Sequence, residues 1–544
     1  MELAYTLLGL TTPILILHAF SIPLAKIVKS EKLPYILAFT ASLFAAISSS
    51  FVLYEVYHNG PMIYMYGGWP PHFGIVYEVD ALNALVGFLT SWVMLAVVLY
   101  SYWYRHHLDD PVWYFILLVG LETGILGCLY TGDAFNLFVM LEVLGISAYG
   151  LVAYHRDKAE AVEAAAKYAL IGAVATTFYF TAVVLLYAGY GSVNMGVLAL
   201  ASRSQLLWLF YEIPPSIKYL TLFSIALALW VFTYKSALFP NHFWLPDAHP
   251  EAPTPVSAAL SGLVVNVGIY ATARFLYTIF GEYSALGEYR IVVLAALFTL
   301  GALGGLIGAL MMMTQQDIKR LLAYSTISHV GIAYMGITAG FLNGSKEAIA
   351  YAIAGGVIHI VAHGIAKALL FMSSGVLIDA AGSRNLDEMR GVGRYYPLTS
   401  ASLILGFLSL AGFIPFIGFY SKWYIARGYL DAEFPIAPIL IIAISALSLP
   451  GYLKAIAAIV FSTREKPVNT VKERWIEYLL FAMAIALIVL GVVFQYMWPF
   501  YESASKELVS GYLEYIDRAV DKIPLEYRIF ISSEIERMLT GVKP

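Results

Sequence analysis

Eight ionisable side chains interrupt long apolar runs of the sequence, near the middle of each run. They are Glu142, Lys235, His329, His359, His363, Lys367, Lys422 and Lys454. A charged group is costly inside a bilayer, so such residues are candidates for function. Histidine titrates near neutral pH, and a desolvated lysine can exchange protons at physiological pH. We therefore expect these groups to form a path for protons, completed by hydrogen-bonded water.

Three of these residues fall on one face of a single predicted helix. In the stretch HIVAHGIAK, His359, His363 and Lys367 stand at positions i, i+4 and i+8, a spacing that aligns side chains along a helix. The two histidines lack the glutamate of the zinc motif H-E-x-x-H, and a cation follows one turn later. The pattern favours proton transfer over metal binding.

Two of the lysines lie beside sequences that break a helix. Pro240 follows Lys235, and Gly412 and Pro415 precede Lys422. A proline removes a backbone donor and frees a carbonyl one turn back. Within a bilayer such backbone survives only where protein or water satisfies it. We expect hydrated cavities beside both lysines, with an ordinary proline kink as the alternative.

Glu142 and Lys235 carry opposite charges and are a candidate pair. A partner within about 4–6 Å would hold both groups in their charged forms. Separating the two would let the lysine release its proton, so the pair is interpreted as a switch. This hypothesis requires the two side chains to meet.

The composition predicts an all-α polytopic membrane protein. Of 544 residues, 60% are hydrophobic and 12% are charged, about half the charged share of a soluble protein. A bilayer needs about 20 apolar residues per helix, and the chain offers about fourteen such runs. The alternating segments of a membrane barrel are absent from the sequence. The predicted spans are 3–25, 33–56, 79–103, 112–131, 134–154, 161–189, 218–239, 255–280, 290–313, 318–341, 348–378, 397–426, 436–461 and 475–498.

Three pairs of polar residues share nearly the same spacing along the chain. The pairs are Glu142 with His329 at 187 positions, Lys235 with Lys422 at 187, and Asn266 with Lys454 at 188. They lie on the fifth and tenth, seventh and twelfth, and eighth and thirteenth predicted helices. An odd number of spans per block inverts the second block, as in many transporters. The spacing predicts two inverted five-helix repeats, with helices 7 and 12 broken.

The repeat divides the chain into four parts. We predict an N-terminal three-helix segment over 1–110, a first repeat over 111–281 and an inverted second repeat over 289–465. The last membrane helix and an amphipathic tail occupy 472–544. Apolar residues at near-helical spacing after residue 500 indicate short helices at the outer surface, interrupted at Pro524. A partly ordered tail is the alternative.

Basic residues indicate the orientation. Loops after odd-numbered helices hold fifteen Lys and Arg, and loops after even-numbered helices hold five. Cytoplasmic loops carry the excess of positive charge, so both termini are predicted outside the cell membrane. Residues 1–25 lack a basic start and a small-residue cleavage site, which favours a first helix over a cleaved signal.

Other classes of function find little support in the sequence. No basic stretch resembles a nucleic-acid site. The single cysteine, Cys128, excludes an internal disulfide and a cysteine-built iron–sulfur site. Without a phosphate loop or a haem pair, we expect no cofactor. Four glutamines, nine asparagines and few thiols favour a thermophilic source.

Five stretches carry a resemblance to a known family. They are GDAFNLFVMLEVLGISAYGLVAY, KSALFPNHFWLPDAHPEAPTPVSA, QQDIKRLLAYSTISHVG, HIVAHGIAKALLF and AGFIPFIGFYSK. From roughly residue 75 to 465 the chain resembles the antiporter-like membrane subunits of respiratory complex I. It is most similar to D-type subunits of multisubunit sodium/proton antiporters and of membrane-bound hydrogenase-type complexes. The resemblance implies fourteen helices with two inverted repeats.

The resemblance also implies roles for individual residues. Glu142 matches the fifth-helix glutamate and Lys235 the seventh-helix lysine, while Lys367 and Lys422 match lysines of the eleventh and twelfth helices. The histidines at 329, 359 and 363 match positions along the central polar axis. The Asp317, Lys319 and Arg320 motif at a helix start is interpreted as structural.

One position departs from the family. Relatives usually carry a lysine or histidine where this chain has Asn266, which cannot carry a proton at neutral pH. Water, His242 or another group would then bridge the two half-channels, or proton transfer would be weakened. Lys454 is a further secondary candidate.

These inferences lead to one main expectation and two alternatives. We expect a proton-translocating subunit that works with other membrane subunits in the lipid bilayer, with sodium as a further candidate ion and with redox chemistry confined to partners. The alternatives are a transport-incompetent scaffold, favoured by Asn266, and an independent solute/ion symporter.

Overall fold

The computed structural model describes residues 2–203, 215–464, 467–470 and 473–523. Most of them are helical. The first helices are α1 (Glu2–Ile27), α2 (Leu33–Asn59), α3 (Ala81–His107), α4 (Pro111–Tyr130), α5 (Ala134–Val152), α6 (Ala159–Tyr190), α7 (Met195–Ala201), α8 (Pro215–Lys235) and α9 (Leu245–Glu251). Then follow α10 (Thr254–Ile279), α11 (Tyr289–Thr314), α12 (Ile318–Ile337), α13 (Lys346–Ala381), α14 (Pro397–Ala411), α15 (Ile417–Asp431), α16 (Ile436–Phe461), α17 (Trp475–Val492), α18 (Phe494–Val509) and α19 (Tyr512–Asp521).

The described part of the chain contains one sheet, a short antiparallel hairpin. Its strands, β1 (Met62–Met65) and β2 (Val76–Val79), pair Met62 with Val79. The hairpin leads into α3, where Asp80 caps the helix by accepting from the amides of Leu82 and Asn83. This hairpin lies outside the helices that cross the bilayer.

Twelve helices of the described residues are long and apolar enough to cross a membrane. They are α1 to α6, α8, α10, α11, α13, α16 and α17. The all-α polytopic class is therefore confirmed, and the chain is a multi-pass membrane protein. The number fourteen counts α12 and the α14–α15 pair as further spans, and it remains a prediction.

Both predicted helix breaks are present. The first separates α8 from α9, so it begins directly after Lys235. The second separates α14 from α15, where Gly412 turns the chain with a φ of +91°. One side chain satisfies a backbone carbonyl at the first break: Nε1 of Trp244 donates to the carbonyl of Tyr234 at 3.0 Å. The twelfth helix is thus two half-helices of 15 residues each.

Several features recur between the two halves of the chain. Asp133 caps the start of α5 and bridges to Asn194, while Asp317 caps the start of α12 and bridges to Asn385. The helices α10 and α16 both have 26 residues and both end in a π-helical turn. These features agree with a repeat, which remains a prediction.

The register of these features differs from the spacing of the charged residues. The two capping aspartates stand 184 positions apart, against 187 for Glu142 and His329. The helix breaks also fall on opposite sides of Lys235 and Lys422. The offset of 187 positions that relates Lys235 to Lys422 therefore does not relate the helix ends of the two halves.

The C-terminal helices pack onto the rest of the chain. Helix α18 contacts α3 and α13, and α19 lies on α7. Gly196 of α7 permits this approach, because a Cβ there would lie 2.5 Å from Cβ of Ala519. Both helices lie where a tail of short amphipathic helices was predicted. The predicted interruption at Pro524 lies outside the described residues.

Candidate functional site

Three of the predicted histidines form one buried cluster between α12 and α13. Nδ1 of His329 lies 3.2 Å from Nε2 of His359, and the two rings stack with centroids 5.2 Å apart. The ring of His363 lies 5.9 Å from that of His329. All three side chains are buried. The sequence predicted that His359 and His363 share one face of α13. The structure places His329 of α12 against that face.

Hydroxyl groups extend this cluster on both sides. Nε2 of His329 lies 2.9 Å from the hydroxyl of Tyr452 on α16, which lies 2.7 Å from Oγ of Ser325. Nδ1 of His359 lies 2.9 Å from Oγ of Ser421 on α15. Four helices thus meet in one hydrogen-bonded row, the histidine relay: Ser325, Tyr452, His329, His359 and Ser421.

One assignment of hydrogens satisfies every member of the histidine relay. If Ser421 donates to the carbonyl of Gly418 at 2.8 Å, its oxygen accepts from Nδ1–H of His359. Nε2 of His359 then accepts from Nδ1–H of His329, and Nε2 of His329 accepts in turn from the hydroxyl of Tyr452. Each neutral imidazole has one donor and one acceptor, as this row requires. The hydrogen bonds of the row therefore all run in one direction, from Ser325 to Ser421.

Close helix packing holds the relay together. A Cβ on Gly331 of α12 would overlap the carbonyl oxygen of Gly301 on α11. Likewise, a Cβ on Gly262 of α10 would lie 2.7 Å from the carbonyl oxygen of Gly364 on α13. Small residues allow such approach between membrane helices. These contacts fix α12 and α13 beside their neighbours, within two residues of His329 and His363.

Lys422 follows Ser421 and lies at the second helix break. Its Nζ donates to the carbonyls of Leu410 at 2.8 Å and Ala411 at 3.1 Å, and to Oγ of Ser445 at 2.8 Å. The carbonyls belong to the C-terminal end of α14, where the helix dipole favours a cation. The break therefore supplies the polar partners of a half-buried lysine.

Lys367 is fully buried, and its Nζ donates to the carbonyl of Leu322 at 3.0 Å. Nε2 of His363, one turn away, is buried and has no hydrogen-bond partner among the described residues. The same holds for both ring nitrogens of His249 on α9. Unpartnered buried polar atoms call for water or another polar group. Water between these side chains would extend the polar row toward α9.

Lys235 is separate from the histidines. Its Nζ donates to the hydroxyl of Tyr149 at 3.1 Å and lies above the rings of Tyr149 and Tyr168. Gly145 makes room for it, because a Cβ there would lie 3.1 Å from Nζ. Glu142 is half-buried one turn earlier on α5 and forms no ion pair with Lys235, both being described residues. The hypothesised contact is therefore not made in this structure.

A row of hydroxyls links the surroundings of Lys235 to the second half of the chain. Oγ of Ser236 lies 2.9 Å from the hydroxyl of Tyr334 on α12, which lies 3.1 Å from Oγ1 of Thr272 on α10. Tyr334 stands five positions after His329 on the same helix. The spacing of five places the two side chains on different faces of α12.

Asn266 lies buried on α10 within its own helix. Its Nδ2 donates to the carbonyl of Gly262 at 2.7 Å, and its Oδ1 has no partner among the described residues. Gly262 belongs to the π-helical turn Leu260–Val264. His242 lies in the first helix break with its Nδ1 buried and likewise without a partner in the described part of the chain. Neither residue forms a hydrogen bond with Lys235, whose Nζ donates to Tyr149.

Lys454 and the 317–320 motif, all described residues, form no hydrogen bond with the histidine relay. Nζ of Lys454 donates to the carbonyls of Gln315 at 2.7 Å and Met313 at 3.3 Å, at the end of α11. Asp317 accepts from the amides of Lys319 and Arg320 at the start of α12. These contacts hold helix ends, so the expected structural role of the motif agrees with its position.

Several polar residues of the site were not predicted from the sequence. They are Tyr149, His249, Ser325, Ser421, Ser445 and Tyr452. Tyrosine and serine are uncharged and common in membrane helices, so their types alone gave no signal. Their positions did give a signal, because two of them stand beside lysines that the sequence singled out: Ser421 precedes Lys422, and Tyr452 is two residues before Lys454. His249 lies in the proline-rich stretch that the sequence marked as a helix break.

A second buried cluster of charges lies under the C-terminal helices. Nη1 of Arg274 lies 2.6 Å from Oδ2 of Asp80, and Nε of Arg518 lies 3.2 Å from Oε1 of Glu78. Burial raises the pKa of Glu78 to about 7 and that of Glu507 to about 8. We call these five residues the tail cluster. It ties α18 and α19 to β2, α3 and α10.

Known proteins resemble this chain along nearly its whole length. The family model described as NADH:quinone oxidoreductase/Mrp antiporter, TM matches residues 131–449. The chain is 30% identical over 519 residues to the N-type subunit of the NADH-quinone oxidoreductase of Desulforudis audaxviator, covering 92% of this chain and 97% of that protein. It is 29% identical over 503 residues to the D-type subunit of the Na⁺/H⁺ antiporter of Bacillus subtilis, covering 92% and 96%.

Solved structures show the same fold. A chain of the membrane-bound sulfane sulfur reductase, an archaeal respiratory membrane complex, superposes with a TM-score of 0.83 at 27% identity, covering 94% of this chain and 99% of that one. A chain of the Mrp complex from Dietzia sp. gives a TM-score of 0.82 at 22% identity, covering 96% and 100%. The resemblance drawn from the sequence motifs is thus confirmed, and this chain belongs to the family of NADH:quinone oxidoreductase and Mrp antiporter membrane subunits.

Proposed function

We propose that this chain is a proton-translocating, antiporter-like subunit of a multisubunit membrane complex. The observation that carries the proposal is the histidine relay, a continuous buried row of groups that both donate and accept hydrogen bonds. Lys422 borders one end of it. Such a row moves a proton without moving heavy atoms far, which suits a buried, tightly packed interior. The similarity to subunits of antiporters and quinone oxidoreductases supports the same function.

Three groups of side chains would load and empty the relay. Lys422 adjoins Ser421 and would exchange protons with one end. Lys367 and His363 would do so through water at α13, and Lys235 would communicate through the hydroxyls of Ser236 and Tyr334. Glu142 is half-buried on α5, so a group from another subunit can approach it. We propose that this approach, rather than a contact within the chain, changes the charge state near Lys235.

The wider setting follows from the relatives. The relatives named above include parts of respiratory and antiporter complexes, so we propose other membrane subunits as partners and protons as the transported ion. Redox chemistry would take place in those partners. The excess of basic residues in the odd-numbered loops supports an orientation with both termini outside the cell membrane. The recurring caps of α5 and α12 support the division into two inverted repeats at 111–281 and 289–465.

Replacing Lys235 or Lys422 with alanine tests this function. We expect proton translocation by the assembled complex, measured as acidification of inside-out vesicles, to fall at least about tenfold in either variant. Lys454→Ala is the matched control, because this half-buried lysine also binds carbonyls at a helix end but lies off the relay. If both test variants pumped protons normally, the chain would be a scaffold that carries no protons.

Asn266 is the observation that favours a scaffold, since it offers no titratable group on α10. We expect its unpartnered Oδ1 to hold a water molecule that bridges the two halves. Asn266→Leu should then lower translocation about tenfold, while Asn266→His should retain it because the imidazole is titratable. The same vesicle assay measures both. Equal activity of Asn266→Leu and the unchanged chain would show that no proton passes this position.

A further inference from the structure

Two cavities adjoin each other at one end of α1 to α4. The first, about 320 Å³, lies between α2, α3 and α4 and is lined by apolar and aromatic side chains, among them Ile36, Phe39, Val98 and Phe115. The second, about 660 Å³, lies beside the α1–α2 loop. Tyr35 and Tyr102 line both cavities. The two spaces therefore form one groove with a polar end and an apolar end.

The polar end of the groove carries an excess of positive charge. Lys26, Lys29, Lys32 and Arg105 line it. Lys26 pairs with Asp110 at 2.8 Å, and Arg105 pairs with Glu473. Lys29 and Lys32 form no ion pair within the described part of the chain. Glu31 lines the same end, where the four cations outnumber this one carboxylate.

The junction between the two ends has the character of a membrane interface. The rings of Tyr35 and Tyr102 meet edge to face, with centroids 5.4 Å apart. Tyrosine is enriched where hydrocarbon meets water, because its ring is apolar and its hydroxyl is polar. Below the tyrosines the wall is apolar, and above them it is cationic. A ligand that fills both ends must be amphipathic and negatively charged at its head.

We propose that this groove binds an anionic phospholipid. Its phosphate would lie between Lys29 and Lys32, and one acyl chain would lie along Ile36, Phe39 and Phe115. Free phosphate would use the cations and leave the apolar cavity empty, while a zwitterionic lipid would fill the cavity and gain little from the lysines. Basic residues at the cytoplasmic ends of membrane helices recognise anionic lipids in this way. The site is independent of the histidine relay.

The decisive comparison removes the two unpaired lysines. The detergent-purified complex is delipidated, offered phosphatidylglycerol or phosphatidylcholine, and examined by native mass spectrometry. We expect the unchanged chain to prefer phosphatidylglycerol. Lys29→Ala/Lys32→Ala should weaken its binding at least about tenfold. Arg156→Ala/Lys158→Ala removes two exposed charges from another loop assigned to the same side, and should retain the lipid.

A second variant blocks the apolar end without changing charge. Leu99 is half-buried on the cavity wall, and Leu99→Trp should displace the acyl chain and reduce binding while all four cations remain. The proposal would be overturned by equal retention of the two lipids, by equal loss in the two charge variants, or by full binding in Leu99→Trp. Competition by inorganic phosphate as effective as that by phosphatidylglycerol would identify a phosphate site instead.

Discussion

Replacing His359 with leucine should lower proton translocation about 100-fold, the lower end of what a positioned proton-transfer group contributes. Both ring nitrogens of His359 are used, toward His329 at 3.2 Å and Ser421 at 2.9 Å. The side chain is 2% exposed, so no bulk water can take its place. Lys422 is only half-buried, and a smaller loss is expected there because water can substitute in part. Vesicle acidification at fixed turnover of the complex measures the effect.

Graded variants separate the relay from a packing role. Tyr452→Phe keeps the ring and removes only the hydroxyl bound to His329 at 2.9 Å. We expect it to lower translocation while leaving the amount of assembled complex unchanged. Tyr429→Phe is the matched control, because this buried hydroxyl bonds to the carbonyl of Met335 outside the relay. If Tyr452→Phe and Tyr429→Phe behaved alike, the histidine relay would not be the proton path.

The sequence predicted the membrane helices because their physical signal is local. A run of about 20 apolar residues must be helical in a bilayer, where every backbone group needs a partner. The predicted span 255–280 and the observed Thr254–Ile279 differ by one residue at each end. The breaks beside Lys235 and Lys422 were also predicted, since proline and glycine act on their own neighbours. Boundaries were less accurate where the break lay, as in 218–239 against Pro215–Lys235.

The contacts of the site could not be predicted in the same way. The i, i+4 spacing placed His359 and His363 on one face, but nothing local indicated that His329 would stack on them. Tyr452 and Ser421 reach the relay only because α15 and α16 pack against α12 and α13. Charge complementarity suggested that Glu142 would meet Lys235, yet Tyr149 takes that place. Opposite charge is a weak guide when a nearer hydroxyl of the right geometry competes.

The tail was the least predictable element of the fold. Helix α19 is amphipathic, which the sequence showed, but its partner surface is formed by β2, α7 and the end of α10. Arg203 donates to four carbonyls there, including those of Ile279 and Thr278, and so caps α10 beneath the tail. The buried pair of Arg518 and Glu78 joins positions 440 residues apart. Only the folded chain brings them together.

Replacing Arg518 with alanine should lower the free energy needed to open α19 by about 3 kcal/mol at pH 8. At that pH the Glu78 carboxylate is charged, and the variant must bury it unpaired or take up a proton. Hydrogen exchange of the amides of Tyr512–Asp521 measures the free energy of this local opening. Lys506→Ala is the matched control, because its pair with Glu502 is exposed and should contribute less than about 1 kcal/mol.

The same pair makes docking of the tail depend on pH. In the docked tail the pKa of Glu78 is about 7, whereas its ordinary value is 4.5. Between these values the docked state binds more protons than the open state, so docking weakens as pH rises through this range. Glu507, at about 8, extends the range upward. Glu78→Gln should reduce the slope of the docking free energy against pH below pH 7. Glu78→Gln/Glu507→Gln should flatten this slope up to pH 8. An unchanged slope in the double variant would mean that other groups control the tail, because these two are then neutral at every pH.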